Sequence, residues 1–285
     1  MIGASGQLGS DLLGAFAGHD VVGIDRTMVD IERPAEVAAM IAHHKPSLIL
    51  NTAAYHHVER CETHAERAFA VNTIAVDALA SACEAAEIAL AHISTDYVFD
   101  GMQRRPYAET DRPNPINVYG VSKYAGELAI AARMERAFVF RTSGLYGVRG
   151  SSNKGHTFVE RIRAQARAGE ALRVVDDVVT TPSYTRDVAA LIARVLESGR
   201  FGTYHVTSGG SCTWYEFATE ILKLSRIDAA IERTTSAAFP SFARRPAYSV
   251  LENAAIAAVG VPAAPEWRDG LRRYLEARES VNPQR

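Results

Sequence analysis

Cysteine is scarce in this chain of 285 residues: Cys61, Cys83 and Cys212 are the only three, an odd number with wide spacing and no CxxC pair. A disulfide framework is therefore not expected to organise the fold, and the expected setting is a reducing one, the cytosol. A surplus of one charge sign is also lacking. Lys plus Arg number 31 and Asp plus Glu 33, for a net charge of −2. No global field draws such a chain to nucleic acid or to an anionic membrane, and neither is expected as a partner. Long uncharged apolar runs of about 18 residues are missing, so no transmembrane helix is expected. The opening Met1-Ile2-Gly3-Ala4-Ser5-Gly6 has neither a basic nor an apolar leader region, so no signal peptide is expected. What is present is the ordinary material of a folded domain. Hydrophobic residues make up 47% and charged ones 22%, enough for a large core and too apolar for intrinsic disorder.

Short apolar runs alternate with amphipathic stretches of helical length through the first 200 or so residues. The runs are Val21–Ile24, Ser47–Leu50, Ile88–Ile93, Phe138–Phe140, Leu172–Val175 and Tyr204–Val206. Apolar throughout, they suit strands covered on both faces of a parallel sheet. The stretches between them, Gln7–Phe16, Pro34–His43, Ala65–Ala86, Tyr119–Arg133, Thr157–Ala168 and Thr185–Leu196, supply the crossovers. The expected fold class is α/β, a Rossmann-type doubly wound parallel sheet. Beyond it, Trp214–Leu224, Leu251–Val259 and Glu266–Ala277 read as a small α-rich subdomain, with Trp214 in its core. The expected division is a dinucleotide-binding core over residues 1–150 and, over 151–285, the later sheet elements with a substrate-binding subdomain.

The first motif is Gly3-Ala4-Ser5-Gly6-Gln7-Leu8-Gly9. Glycines so spaced allow a tight turn that approaches a pyrophosphate, with the N-terminus of the following helix aimed at it. Alone, the match is weak. Asp25 ends the next apolar run, about 20 residues further on, where an acid can meet the adenosine ribose. Arg26 follows and could instead face a 2′-phosphate, so NADH and NADPH both remain open. Only Met1 and Ile2 precede the loop, against about five residues for a central strand. Either the start is assigned too late or the chain is truncated, and the neighbouring strands are expected to lack ladder partners.

The second motif is Tyr119-Gly120-Val121-Ser122-Lys123. Residues i and i+4 share a helix face, so an ammonium can stand beside a phenol, favour its ionised form and ready it to protonate a carbonyl oxygen. Upstream, Ser94-Thr95-Asp96-Tyr97-Val98-Phe99-Asp100-Gly101 follows an apolar run, which puts Ser94 and Thr95 at the ligand-facing end of a strand.

Together these strings resemble the extended short-chain dehydrogenase/reductase superfamily. Asn51-Thr52-Ala53-Ala54-Tyr55, Ser94–Gly101, Tyr119–Lys123 with Gly126-Glu127, Arg141–Gly147 and Arg245–Leu251 narrow the resemblance to the dTDP-4-dehydrorhamnose reductase family, from Gly3 to about Leu275. It implies NADPH- or NADH-dependent reduction of the 4-keto group of a nucleotide-linked deoxysugar. Tyr119 would donate the proton, Lys123 would hold the nicotinamide ribose, and Thr95 would orient the carbonyl. Gly3, Gly6, Gln7 and Leu8 would hold the pyrophosphate; Asp30 and Ile31 would pass the adenine; Ala53, Ala54 and Tyr55 would line the cofactor, with Asn72 supporting their loop. A nucleotide-sugar is the implied partner, and a homodimer is compatible with it. Two departures bear on the sugar. The family's Trp position is Gly144 here, which removes an apolar wall, and His56-His57-Val58-Glu59 replaces the usual Thr-Ala-Val-Asp. Beside the ring, His56, Val58, Asp96 and Gly144 are the expected substrate contacts, with Arg245 on the diphosphate. The alternatives are a non-catalytic NADP-binding regulatory subunit of the same fold and a nucleotide-sugar epimerase. A dehydratase would need an Asp-Glu pair after Thr95, which is absent.

Other clusters carry less. His57, Cys61 and His64 have the spacing of one helical face but no fourth ligand, so no metal is expected. His43 and His44 read as a solvated helix end. Among Arg149, Lys154, Arg161, Arg163, Arg167 and Arg173, Arg163 and Arg167 read as a solvated helix face, and Thr180–Tyr184 as a turn that shapes the pocket.

Overall fold

A computed structural model describes residues 1–149, 157–239 and 241–281, the last without its side chain. Lys154, one of the basic residues considered above, lies outside the described residues. The central sheet has four parallel strands in the order Leu48–Asn51, Ala89–Thr95, Ala137–Thr142 and Gly202–His205. The first three are nearly all buried because helices cover both faces, while the edge strand Gly202–His205 buries only Tyr204 and His205. On one face Val71, Val76, Leu79 and Ile130 pack beneath Ile49 and Leu90. On the other, Leu8, Leu12, Val188 and Ile192 pack beneath Leu50 and Phe140.

The Val21–Ile24 run does not form a ladder strand. Only Ile24 pairs, through an isolated bridge to Ile2, and Ile2 bridges Asn51 on its other side. The expected unpaired groups at this seam find partners nonetheless. Ile2 N–H donates to Leu50 O at 2.9 Å, Thr52 N–H to Ile2 O at 3.0 Å, and Gly3 N–H to Ile24 O at 2.9 Å. One residue thus joins the two sides and fixes where the glycine loop departs.

The Leu172–Val175 run is a strand but lies outside the main sheet, paired in parallel with Ile231–Thr234. It belongs to a third apolar cluster, in which Val159, Ile162, Phe217, Ile221, Trp267, Leu271 and Tyr274 pack together from the helices Phe158–Arg167, Trp214–Leu224 and Trp267–Val281. The expected long helix over 65–86 is interrupted: Ala65–Phe69 passes through a π-turn at Ala70–Ile74 before Ala75–Ala85 resumes. By length and composition Ala65–Ala85 could cross a membrane, yet Ala68, Val71, Ala75, Val76, Leu79, Ala80 and Cys83 are buried in the protein. That is the behaviour of a core helix.

Candidate active site

The C-terminal ends of the central strands open into a cleft of about 620 Å³. Of the residues expected at the site, it is lined by Gly3, Gly6, Gln7, Leu8, Arg26, Asp30, Ile31, Ala53, Ala54, His56, Val58, Thr95, Asp96, Tyr119, Lys123 and Gly144. Asp25, Tyr55, Asn72 and Arg245 are not among the lining residues.

At one end, Gly3 holds φ +78°, and a Cβ there would come within 2.4 Å of Thr52 Oγ1 and 3.0 Å of Ala53 N. Only glycine lets the two loops approach so closely. Helix Gln7–Ala15 starts after Gly6 with no side-chain cap, which leaves its first backbone N–H groups to face the cleft. The Asp25 carboxylate is engaged locally, accepting from Thr27 N at 2.8 Å and Thr27 Oγ1 at 2.6 Å. Arg26 instead lines the cleft, 3.3 Å from Asp30 and 3.6 Å from Glu32. Tyr55 lines a smaller side pocket with Arg26, Arg60 and Arg67. Asn72 sits in the π-turn and clamps the Tyr55 backbone, accepting from its N–H at 2.8 Å and donating to its carbonyl at 3.0 Å.

In the middle, helix Val118–Arg133 presents Tyr119 and Lys123 one turn apart. Its start is built by Asn117, whose side chain accepts from Gly120 N at 2.7 Å, and by Glu62, which accepts from Val118 N at 2.8 Å. Neither was singled out from sequence, although an asparagine just before a helical run is a readable cap signal. Thr95 ends its strand, accepts from Tyr97 N at 3.2 Å and donates to Asp96 at 3.0 Å. Ser94 donates to Glu127, so it is held in the core rather than offered to a ligand. Burial raises the Tyr119 phenol well above its ordinary value, with an opposing hydrogen bond from Thr95. Burial brings Lys123 down to about 7. Asp96, buried, is raised by desolvation against hydrogen bonds from Ser249, Ser143 and Thr95.

Toward the sugar end, Gly144 holds φ +56°, and a Cβ would meet Thr181 O at 2.7 Å. The missing Trp is thus more than a smaller residue, because the backbone itself excludes a side chain here. Aromatic surface comes from elsewhere. Trp214 packs against the subdomain core, as expected, and also lines the cleft with Phe158, their rings 4.7 Å apart. Arg245 pairs with Glu59 at 2.7 Å and donates to Ser241 at 2.7 Å, behind the cleft wall.

Two further expectations change, and one buried residue is new. His57 and His64 fall at the two caps of helix Val58–Thr63, so the presumed single face does not exist, and no group of three His, Cys, Asp or Glu side chains among the described residues could hold a metal. Arg163 is buried rather than solvated, 3.5 Å from Glu160, while Arg167 is exposed. His92, which drew no attention in the sequence, lies fully buried against Lys123.

A glycine cradle at the first crossover, Thr95 at a strand end, and Tyr119 and Lys123 on the helix that follows define a dinucleotide-binding protein of the short-chain dehydrogenase/reductase kind. The chain belongs to the RmlD substrate binding domain family, whose model matches residues 1–280. It is similar to the spore coat polysaccharide biosynthesis protein SpsK of Bacillus subtilis, 38% identical over 98% of this chain and 97% of that one. It is similar to a dTDP-4-dehydrorhamnose reductase of Burkholderia thailandensis, 35% identical over 93% of this chain and 94% of that one. Among solved structures, a dTDP-4-dehydrorhamnose reductase from Bacillus anthracis in complex with NADP superposes with a TM-score of 0.92 at 32% identity, covering 97% of both chains.

Proposed function

We propose that this protein uses NAD(P)H to reduce the 4-keto group of a nucleotide-linked deoxysugar, in the manner of a dTDP-4-dehydrorhamnose reductase. The observation that carries the reading is the convergence of Thr95, Tyr119 and Lys123 in one cleft with the Gly3–Leu8 loop. A dinucleotide fits the residues present. The Gly3 cradle would be filled by any Cβ, and the uncapped helix start suits a pyrophosphate. Gly3, Gly6, Gln7 and Leu8 would hold the phosphates, Asp30 and Ile31 would flank the adenine, Ala53 and Ala54 would line the path, and Lys123 would hold the nicotinamide ribose. Arg26 reaches the cleft and Asp25 does not, which supports NADPH over NADH.

Bound NAD(P)H would supply the hydride that adds to the carbonyl carbon. The Thr95 hydroxyl would turn its one hydrogen from Asp96 to the carbonyl oxygen, and Tyr119 would give its phenolic proton to that oxygen, leaving an alcohol. Proton donation by a positioned group contributes roughly 10²- to 10⁴-fold. His56, Val58, Asp96 and Gly144 would border the sugar. The Arg245 role is revised to holding the wall: its guanidinium, bonded to Glu59 and Tyr97, supports the tyrosine beside Tyr119. Residues 1–150 would form the dinucleotide-binding part and 151–285 the later sheet elements and sugar side. Three buried free cysteines suit the cytosol.

The test is NADPH oxidation with dTDP- and GDP-linked 4-keto-6-deoxysugars. Turnover with one of them is expected. Tight NADPH binding without turnover on any would favour the regulatory-subunit alternative.

A further inference from the structure

Beneath the cleft, three buried polar side chains stand in a row. Asn51, His92 and Lys123 are 0%, 0% and 1% exposed. Asn51 and His92 are register partners on adjacent strands, and Lys123 reaches them from the covering helix. Their hydrogen-bond directions can be worked out from one fixed point. Ala53 N–H can only donate, and it does so to Asn51 Oδ1 at 3.0 Å. Asn51 Nδ2 is therefore the end that faces His92 Nδ1, at 3.2 Å. An amide nitrogen only donates, so Nδ1 accepts and carries no hydrogen. Burial, with a smaller contribution from Lys123, keeps His92 well below its usual pKa and hence neutral. A neutral imidazole with a bare Nδ1 carries its hydrogen on Nε2.

Nε2 lies 2.8 Å from Lys123 Nζ, and Nζ lies 2.7 Å from Ile93 O, which can only accept. An ammonium has no lone pair and would set its hydrogens against Nε2–H. A neutral amine donates to Ile93 O and accepts from Nε2–H, which satisfies every contact. We propose that Asn51 and His92 are positioning residues that hold Lys123 as a neutral amine in the free protein, with the His92 hydrogen on Nε2.

The other charged and titratable groups around Lys123 do not reverse this. Glu127, one turn along the same helix, favours the ammonium but is committed to Arg141 of the adjoining strand, at 2.6 Å. Tyr119, raised by burial, and Asp96, also raised, share the cleft side. Above about pH 7 the free protein therefore keeps phenol and amine both uncharged. Charging Lys123 takes one proton from solvent and breaks the Nε2–H···Nζ bond; two phosphates held at the glycine loop would favour that charge. This last consequence rests on the dinucleotide reading. The tautomer does not.

The test is nitrogen-detected magnetic resonance of the full chain without ligand, with His92 assigned by comparison with His92→Gln. Expected are a bare Nδ1, a protonated Nε2 with no titration between about pH 6 and 9, and a Lys123 midpoint far below the ordinary value of about 10.4. Asn51→Asp should invert the row. Its carboxylate accepts from both Ala53 N–H and Nδ1–H, Nε2 becomes an acceptor, and Lys123 should gain at least about tenfold in proton affinity, one unit in its midpoint. A hydrogen on Nδ1 in the parent protein, a Lys123 midpoint near the ordinary value, or an unmoved midpoint in a folded Asn51→Asp variant would each overturn the proposal. If that variant does not fold, the parent spectrum decides. The expected tautomer in a protein that turns over no keto-sugar would leave the row intact and remove only the reductase reading.

Discussion

Gly120→Ala adds a single methyl group next to the proposed proton donor. Gly120 lies in the first turn of helix Val118–Arg133, where the helix rests on the turn after Thr95. A Cβ at this position would fall 2.1 Å from Tyr97 O and 3.0 Å from Pro115 Cβ, whereas ordinary contact begins at 3.4 Å. The nearer obstacle is a backbone carbonyl, so no side chain can swing aside. The helix start or the 96–98 turn must shift by on the order of 1 Å, the shortfall between those two distances. Overpacking of this kind costs about 1–3 kcal/mol. In a domain of this size that is a fall in melting temperature of roughly 2–10 °C. The kinetic effect should be larger than the thermal one, because the shift falls between Tyr119 and Thr95, which must address one oxygen atom. Misplacement by about 1 Å can cost on the order of 10²-fold in rate. The assay is NADPH oxidation on the accepted keto-sugar beside a thermal melt, with Gly14→Ala as control. Gly14 is likewise helical, but its Cβ would meet nothing within 4 Å. A Gly120→Ala protein that melts and turns over like the parent would refute the close approach and the alignment argued from it.

Tyr119→Phe removes the transferable proton and should lower kcat by roughly 10²- to 10⁴-fold while NADPH binding, read by fluorescence, persists; full activity would remove Tyr119 from the reaction. Arg26→Ala should raise KM for NADPH more than for NADH, and equal effects would dismiss Arg26 as the ribose-end selector. Glu127→Gln leaves buried Arg141 without its ion-pair partner and should destabilise the fold by about 3–5 kcal/mol in denaturant melts. His205 is buried, donates through Nδ1 to Tyr107 O at 3.0 Å, and has a pKa lowered to about 3 by burial first and Arg141 second. Its folded-state value lies below its unfolded value, so its contribution is complete above about pH 6.5 and lost as pH falls toward 3. Acid titration of stability should steepen in that window, and His205→Gln should flatten it.

Most crossover helices were legible to within a residue, but Leu251–Val259 shortens to Ala254–Ala258, Glu266–Ala277 runs on to Val281, and Val58–Thr63 was not expected. Trp214–Leu224 has the expected bounds, and its Thr213–Glu216 capping box shows why such an edge is sharp. Tyr119, Lys123 and Thr95 were legible because motif spacing carries them to one cleft. Val21–Ile24 has the composition of a strand, but a ladder needs a partner, and only Ile2 is beside it. The π-turn at Ala70–Ile74 leaves no mark in hydrophobic periodicity, although it aims Asn72 at Tyr55. Asp25 and Arg26 are neighbours in sequence, and only the local turn with Thr27 decides which of them faces the cleft. The His92 contact with Lys123 is set by strand register and helix height, neither of which a single sequence displays.

The most direct measurement of the central claim is the product itself. The protein is incubated with NADPH and an enzymatically generated dTDP-4-keto-6-deoxysugar, and nucleotide and sugar are followed together. The account predicts one NADPH oxidised per sugar, a product heavier by two hydrogens, and deuterium from 4-deuterated NADPH at the sugar C4. Bound NADPH that stays reduced in the presence of every such ketone, with the fold intact, would contradict it.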